Sequence, residues 1–279
     1  MIKIYNNLDE FLNGYSGANN YEFTLDSYII KIFNESEELI AQKQQDSELF
    51  ITGSINLLEE LVKNIISLGL KFDTYVMNGD LAKKFNELYL EKMSGQFEEI
   101  SCLDKGYVSM KYQVGHVKSC VLAGGCFWCA AKPYYEYDGI YYVYSGFTAG
   151  KEILPTYEEV KKQQTNHLEA IKLIYDETKI SYKEILDIYF ATIDPFDAGG
   201  QFIDRGNSYT TAIFYKDEAM KKEILDYIEI IEKQYSRKIV VKVQPETHFY
   251  MAEEYHQDYA LKNPELMTEE LILSGRIKK

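Results

Sequence analysis

From residue 119 onward, short apolar runs of strand length alternate with longer stretches of helical periodicity, and this alternation most restricts the fold. Residues 119–123 form an apolar run that enters Gly124-Gly125. Residues 140–147 alternate as a strand does, and 167–175, 209–215 and 238–243 are further strand candidates. Helical stretches lie between them. One starts near Phe127, with Pro133 tolerated only near its first turns. Others cover 156–163, 181–192, 217–235 and 249–261, the last ending before Asn263-Pro264. Ser181 with Glu184 three residues on is a capping-box signature. Strands and helices in this order predict an α+β fold, a mixed sheet with packed helices.

The chain has 279 residues, enough for two ordinary domains. Its first part reads as a small α/β domain. Strands are expected at 28–33, 49–53 and 72–77, and helices at 55–68, with Gly69 as C-cap, and at 80–93, stopped near Gly95. Asp104-Lys105-Gly106 and Gly115-His116 mark the turn-rich stretch between the two parts, which places the domains at 1–115 and 116–279.

Acidic side chains number 44 against 30 basic ones, a net charge of −14 spread along the whole chain. Such a surface repels phosphate backbones and anionic leaflets, so neither nucleic acid nor a membrane is an expected partner. No apolar run reaches the length of a transmembrane helix, and the start lacks the layout of a signal peptide. The expected location is the cytoplasm, with reduced thiols. There a close cysteine pair is redox-active or metal-binding more often than structural.

The four cysteines are Cys102, Cys120, Cys126 and Cys129. The last two fall in Gly124-Gly125-Cys126-Phe127-Trp128-Cys129, where a strand turns into a helix. The glycines allow a tight turn. A cysteine at a helix start meets unpaired N–H groups that favour its thiolate. Phe127 and Trp128, the chain's single tryptophan, offer an apolar wall for a small apolar group. Zinc would need two more ligands at matching spacing; Cys102 and Cys120 form no second C-x-x-C, and His116 stands alone.

Gly125-Cys126-Phe127-Trp128 resembles the active-site signature of the methionine sulfoxide reductase A family, the peptide-methionine (S)-S-oxide reductases. The resemblance continues in family order through Ser145-Gly146-Phe147-Thr148-Ala149-Gly150, Pro155-Thr156-Tyr157-Glu158-Glu159-Val160 and Asn166-His167-Leu168-Glu169-Ala170. It extends through Asp194-Pro195, the block from Gly200 to Tyr209, and Phe249-Tyr250-Met251-Ala252-Glu253-Glu254-Tyr255-His256-Gln257-Asp258-Tyr259. It covers residues 118–264 and none of 1–115.

The resemblance implies a two-layer α/β core of that family, no metal or bound cofactor, and an external thiol reductant such as thioredoxin or glutaredoxin. It implies Cys126 as nucleophile, ending the step as a sulfenic acid, and Glu169 as the general acid. It matches Tyr157 and Tyr209 to the hydrogen-bond donors on the sulfoxide oxygen, Asp204 to the substrate side of the site, and Phe127 and Trp128 to the methyl pocket. The residues around Glu169 agree independently: it falls in a period-two strand among Leu, Ala and Ile, where a carboxyl has a raised pKa. His256 and Gln257 are expected to brace the site from a helix.

Three departures concern local contacts: Ala131 replaces the family's Glu, which bears on packing, and Phe147 and Thr210-Thr211 replace Tyr and Arg-Ser, which bears on substrate-loop contacts. The fourth concerns recycling. Many members carry C-terminal resolving cysteines, and this chain has no cysteine after Cys129. Cys129, Cys102, Cys120 or an external thiol is left to resolve the sulfenic acid. Two rival functions stand beside the reductase: a non-catalytic module that binds methionine sulfoxide, and a general C-x-x-C disulfide oxidoreductase.

Overall fold

The computed structural model describes residues 21–24, 29–33, 39–44, 48–51, 74–90, 95–102 and 107–276. Chain contacts divide it into two compact units, Met1–Gly115 and His116–Lys279.

In the first unit, β1 (Tyr21–Thr24), β2 (Ile29–Phe33), β3 (Leu39–Gln44), β4 (Glu48–Ile51), β5 (Thr74–Asn78), β6 (Gly95–Cys102) and β7 (Tyr107–Val114) form one sheet in the order β1-β2-β3-β4-β5-β7-β6. Only β4 and β5 pair in parallel. Helix α1 (Gly79–Leu90) buries Ala82 and Phe85. The strands expected at 28–33, 49–53 and 72–77 overlap β2, β4 and β5, while β1, β3, β6 and β7 were not expected. The helix expected at 55–68 lies outside the described residues.

The second unit is a mixed α/β core around a six-stranded sheet. It is built from β8 (Val117–Gly124), β9 (Ile140–Thr148), β10 (Leu168–Asp176), β13 (Thr211–Tyr215), β14 (Lys242–Pro245) and β15 (Tyr250–Met251), in the order β14-β13-β8-β10-β9-β15. β13 and β14 run parallel; the other neighbours are antiparallel. A two-stranded ribbon, β11 (Gly200–Gln201) and β12 (Asp204–Arg205), lies outside that sheet.

The core follows from the strand period. Leu122, Ile171, Leu173 and Ile213 point to one face, where α4 (Tyr182–Thr192) and α5 (Glu218–Tyr235) supply Ile185, Leu186, Tyr189 and Ile224. Val121, Ala123, Ala170, Ala212 and Phe214 point to the other, which Phe249 covers. With both faces covered, all nine residues of β10 are buried. The Ser181–Glu184 capping box is formed at the start of α4.

Four expectations are corrected. The helix that starts at Phe127, α2, stops at Ala131 and continues as a 3-10 turn, Lys132–Glu136, because Pro133 has no N–H for an α-helical bond. The strand expected at 209–215 begins only at Thr211, since Asn207–Tyr209 is a 3-10 turn. The strand expected at 238–243 shifts to Lys242–Pro245, because Ile239 N donates to Glu232 and Val240 N donates to Pro195 O. The helix expected at 249–261 is instead β15, a 3-10 turn Glu254–His256 and α6 (Tyr259–Lys262). Asp258, at φ 54°, interrupts any helix there.

Beyond the expected end, α7 (Pro264–Leu273) starts with proline at its first turn. It closes with a Schellman motif: Gly275 N donates to Ile272 O at 3.0 Å and Arg276 N to Leu271 O at 2.9 Å. Gly275 has φ +75°, which turns the chain back toward the body of this unit. Among the described residues no helix is long and apolar enough to cross a membrane.

Candidate active site

Strand β8 ends in Gly124-Gly125, and Gly125 takes φ +82°. A Cβ there would sit 2.6 Å from the Gln201 Cβ, so only glycine lets the loop and the ribbon meet. The turn makes Cys126 the N-cap of α2 (Phe127–Ala131), with the Cys126 carbonyl accepting from Ala130 N at 3.0 Å. Cys126 is partly exposed and Cys129, one turn on, is buried; both are free thiols.

The two thiols share a side-chain hydrogen bond. This bond, with burial and the nearby Asp204, raises the Cys126 pKa well above that of an ordinary thiol. The same bond lowers the Cys129 pKa, assisted by the charge of Arg276. Burial and the neighbouring thiol thus work against the thiolate expected at Cys126. A helix of five residues supplies too little dipole to reverse this.

Glu169 lies on β10, on the same face as Ile171 and Leu173, and is 1% exposed. Its Oε2 accepts from Phe127 N at 3.1 Å. Its Oε1 is buried without a hydrogen-bond partner. Burial first, then the proximity of Cys126, pushes its pKa well above the carboxylate range, which favours the protonated form. The Phe127 N–H, and Tyr209 beside the carboxyl, only partly oppose this rise.

Tyr157 starts α3 (Tyr157–Lys161), behind a Thr156–Glu159 capping box. Its backbone N donates to Glu253 Oε1 at 3.1 Å. Tyr209 ends its 3-10 turn beside Glu169. Both phenols have raised pKa values, first from burial and next from Glu169, so both remain donors. Asp204, on β12, is half-buried; burial raises its pKa and the Arg276 charge opposes that.

Phe127 is fully buried, stacked near Tyr157 at 6.0 Å and packed on Phe147 and His256. Its complete burial contributes about 1.5–3 kcal/mol to holding the site. Trp128 is partly exposed, and Tyr259 stacks on one face of its ring at 3.9 Å. His256 packs against Phe127, Trp128 and Tyr157 from a 3-10 turn rather than a helix. Gln257 accepts from Ser145 N and donates to Ser145 O and Ala252 O.

The fold therefore brings Cys126, Cys129, Phe127, Trp128, Tyr157, Glu169, Asp204 and Tyr209 to one place. Cys120 is buried in the core on β8, its pKa raised chiefly by burial, and Cys102 ends β6 in the first unit. Among the described residues no group of three or more His, Cys, Asp and Glu converges as metal ligands would. Arg276 is the site residue that sequence reasoning missed. Its side chain is 7% exposed, with Nη2 3.7 Å from Asp204 Oδ2 and the guanidinium over the Phe202 ring at 4.3 Å. The signal was present in Ser274-Gly275, a helix terminator just before it.

A buried acid beside a pair of free thiols, on a mixed α/β core, defines a cysteine-based oxidoreductase. The sequence profile described as peptide methionine sulfoxide reductase matches residues 118–278, and the chain belongs to that family. The match leaves residues 1–117 outside it. Peptide methionine sulfoxide reductase MsrA 2 of Staphylococcus aureus (strain MW2) is 47% identical over 145 residues, spanning 51% of this chain and 82% of the relative. The MsrA of Picrophilus torridus is 43% identical over 162 residues, 57% of this chain and 91% of the relative. Among solved structures, the reduced form of Mxr1 from Saccharomyces cerevisiae aligns with TM-score 0.53 and 31% identity, over 56% of this chain and 90% of that one. Methionine sulfoxide reductase A of Corynebacterium diphtheriae aligns with TM-score 0.51 and 27% identity, over 54% and 76%.

Proposed function

We propose that the chain reduces the S-epimer of methionine sulfoxide, free or in proteins, to methionine. The observation that carries this reading is Glu169: a protonated carboxyl with one oxygen tied to Phe127 N and the other buried and unpartnered, beside Cys126. An acid held this way lacks only an acceptor, and a sulfoxide oxygen supplies one.

The oxygen receives the Glu169 proton and hydrogen bonds from Tyr157 and Tyr209. The Cys126 thiolate attacks the sulfoxide sulfur. The substrate S–O bond breaks, methionine leaves, and the oxygen ends on Cys126 as a sulfenic acid. Two electrons pass from the Cys126 sulfur to the substrate sulfur. Trp128, above the buried Phe127, borders the substrate methyl, and Asp204 lies on the substrate side. Cys129 or an external thiol, of the thioredoxin or glutaredoxin kind, then resolves the sulfenic acid.

The test uses separated sulfoxide epimers in a dithiothreitol-driven assay. The wild type consumes the S-epimer alone, and Cys126→Ser consumes neither. Full turnover by Cys126→Ser overturns the reading. The hydrogen-bonded Cys126–Cys129 pair also favours general disulfide exchange, and reduction of insulin disulfides in place of sulfoxide would establish that reading instead.

A further inference from the structure

The reaction proposed above leaves Arg276 unused. The Schellman turn at Gly275 folds this residue back from α7, and α7 itself packs Met267 and Leu271 against Cys129. The guanidinium is buried, and its Nε and Nη2 have no hydrogen-bond partner. Asp204, at 3.7 Å, is beyond hydrogen-bond distance. A buried cation with idle donors is costly unless something nearby carries negative charge. Its Nη2 lies 3.2 Å from where a Gly125 Cβ would be, under the turn that carries the cysteines.

We propose that Arg276 is a positioning residue for closing a Cys126–Cys129 disulfide: its buried guanidinium, beside the turn that carries the pair, holds Cys129 as the attacking sulfur. The inference rests on Cys126 being the residue that becomes a sulfenic acid. Cys126 adjoins Cys129 on its own element. Asp204 faces Cys129 from β12 and Glu270 from α7, and both oppose an anion there. Tyr135 and Tyr259 complete the surroundings. Arg276 is anchored through its backbone N to Leu271 O, in the cluster that packs on Cys129, and its charge favours an anion there.

In the closing step Cys129 sulfur attacks Cys126 sulfur. The Cys126 S–O bond breaks, an S–S bond forms, and the hydroxyl leaves with the Cys129 proton as water. Cys129 is oxidised and Cys126 reduced, so no further reductant is needed until the disulfide itself is reduced.

The experiment is a single turnover with methionine-S-sulfoxide and no reductant. It reads methionine release, dimedone-trapped sulfenic acid on Cys126, and the Cys126–Cys129 disulfide by mass spectrometry. In Arg276→Gln the rate of disulfide closure relative to methionine release falls about threefold for each pKa unit that Cys129 rises, since a tenfold loss of thiolate is partly offset by its greater nucleophilicity. Trapped sulfenic acid rises, and the pH at half-maximal closure moves upward. Arg276→Lys, which keeps the charge, restores part of the ratio; a role in packing alone would not follow charge. An unchanged ratio and pH profile in Arg276→Gln overturns the proposal. Methionine release without a Cys126–Cys129 disulfide in the wild type overturns it but leaves the reductase reading intact. No methionine release overturns both.

Discussion

The backbone N of Phe127 donates to Glu169 Oε2 at 3.1 Å, so the acid is anchored to the residue next to Cys126. This bond fixes Oε2 and leaves Oε1 to face the substrate. Glu169→Gln keeps an acceptor for Phe127 N but removes the proton, and turnover should fall by about 10²–10⁴-fold. The pH dependence follows from the sign of the shift. The pKa is raised, so the active, protonated form persists above the pH at which an ordinary carboxyl ionises and is lost as pH rises further. A pH–rate profile of methionine release should show that alkaline loss in the wild type. The low residual rate of Glu169→Gln should lack it; the same limb in the variant would assign the ionisation elsewhere.

Tyr157 and Tyr209 both lie beside Glu169 and Cys126 with phenols that stay protonated. Each neutral hydrogen bond to the sulfoxide oxygen contributes about 0.5–1.5 kcal/mol, a factor of roughly 2–13 in rate. Tyr157→Phe and Tyr209→Phe should each lower kcat/KM by that much. The double variant should lose more than the product of the two, since one remaining donor still polarises the oxygen. Strict multiplicativity in steady-state kinetics would mean that the hydroxyls do not share a target.

How far the sequence discloses the site depends on what holds each residue. Glu169 is legible because strand period and burial are local properties, and its neighbours Leu168, Ala170 and Ile171 declare both. Tyr157 and Tyr209 are not, because 25 tyrosines share one composition and only tertiary packing separates them. Residues 249–259 imitate helical spacing, but Gln257 spends its side chain on Ser145 and Ala252, more than a hundred residues away in the first case. Arg276 escapes for the opposite reason: a charged side chain near a chain end reads as solvated, and its burial depends on how α7 packs. The terminators that direct it, Pro264 and Gly275, are ordinary local signals.

Gly125→Ala isolates the turn. Its φ of +82° costs an L-residue about 1–2 kcal/mol, and the added Cβ meets Gln201 at 2.6 Å. Gln201 cannot retreat freely, since its side chain bonds Asp194 N at 2.7 Å and Asp194 O at 2.9 Å. The variant should lower Tm by at least about 3 °C, at roughly 2–4 °C per kcal/mol for a domain of this size. It should also slow methionine release, because Asp204 follows Gln201 on the same ribbon. An unaltered melting curve by calorimetry would show that the turn relaxes without cost.

Gln257 makes three hydrogen bonds at 2.8–3.0 Å, two that tie the 249–259 segment to Ser145 on β9 and one to Ala252 within the segment. Its removal leaves Ser145 N and Ala252 O to find other partners in a buried place, while Ser145 O keeps its bond from Ala252 N at 2.9 Å. Each stranded group costs about 1–3 kcal/mol, and water entering the gap returns part of that. Gln257→Ala should therefore destabilise the unit by about 2–4 kcal/mol in urea denaturation. The same segment carries Glu253 against Tyr157 N and Tyr259 against the Trp128 ring. Trp128 is the chain's single tryptophan, so its emission reports on this packing directly. In the folded variant the emission should shift to the red as Tyr259 withdraws, and KM should rise more than kcat falls. Loss of stability with unchanged Trp128 emission would confine Gln257 to strand anchoring and separate it from the site.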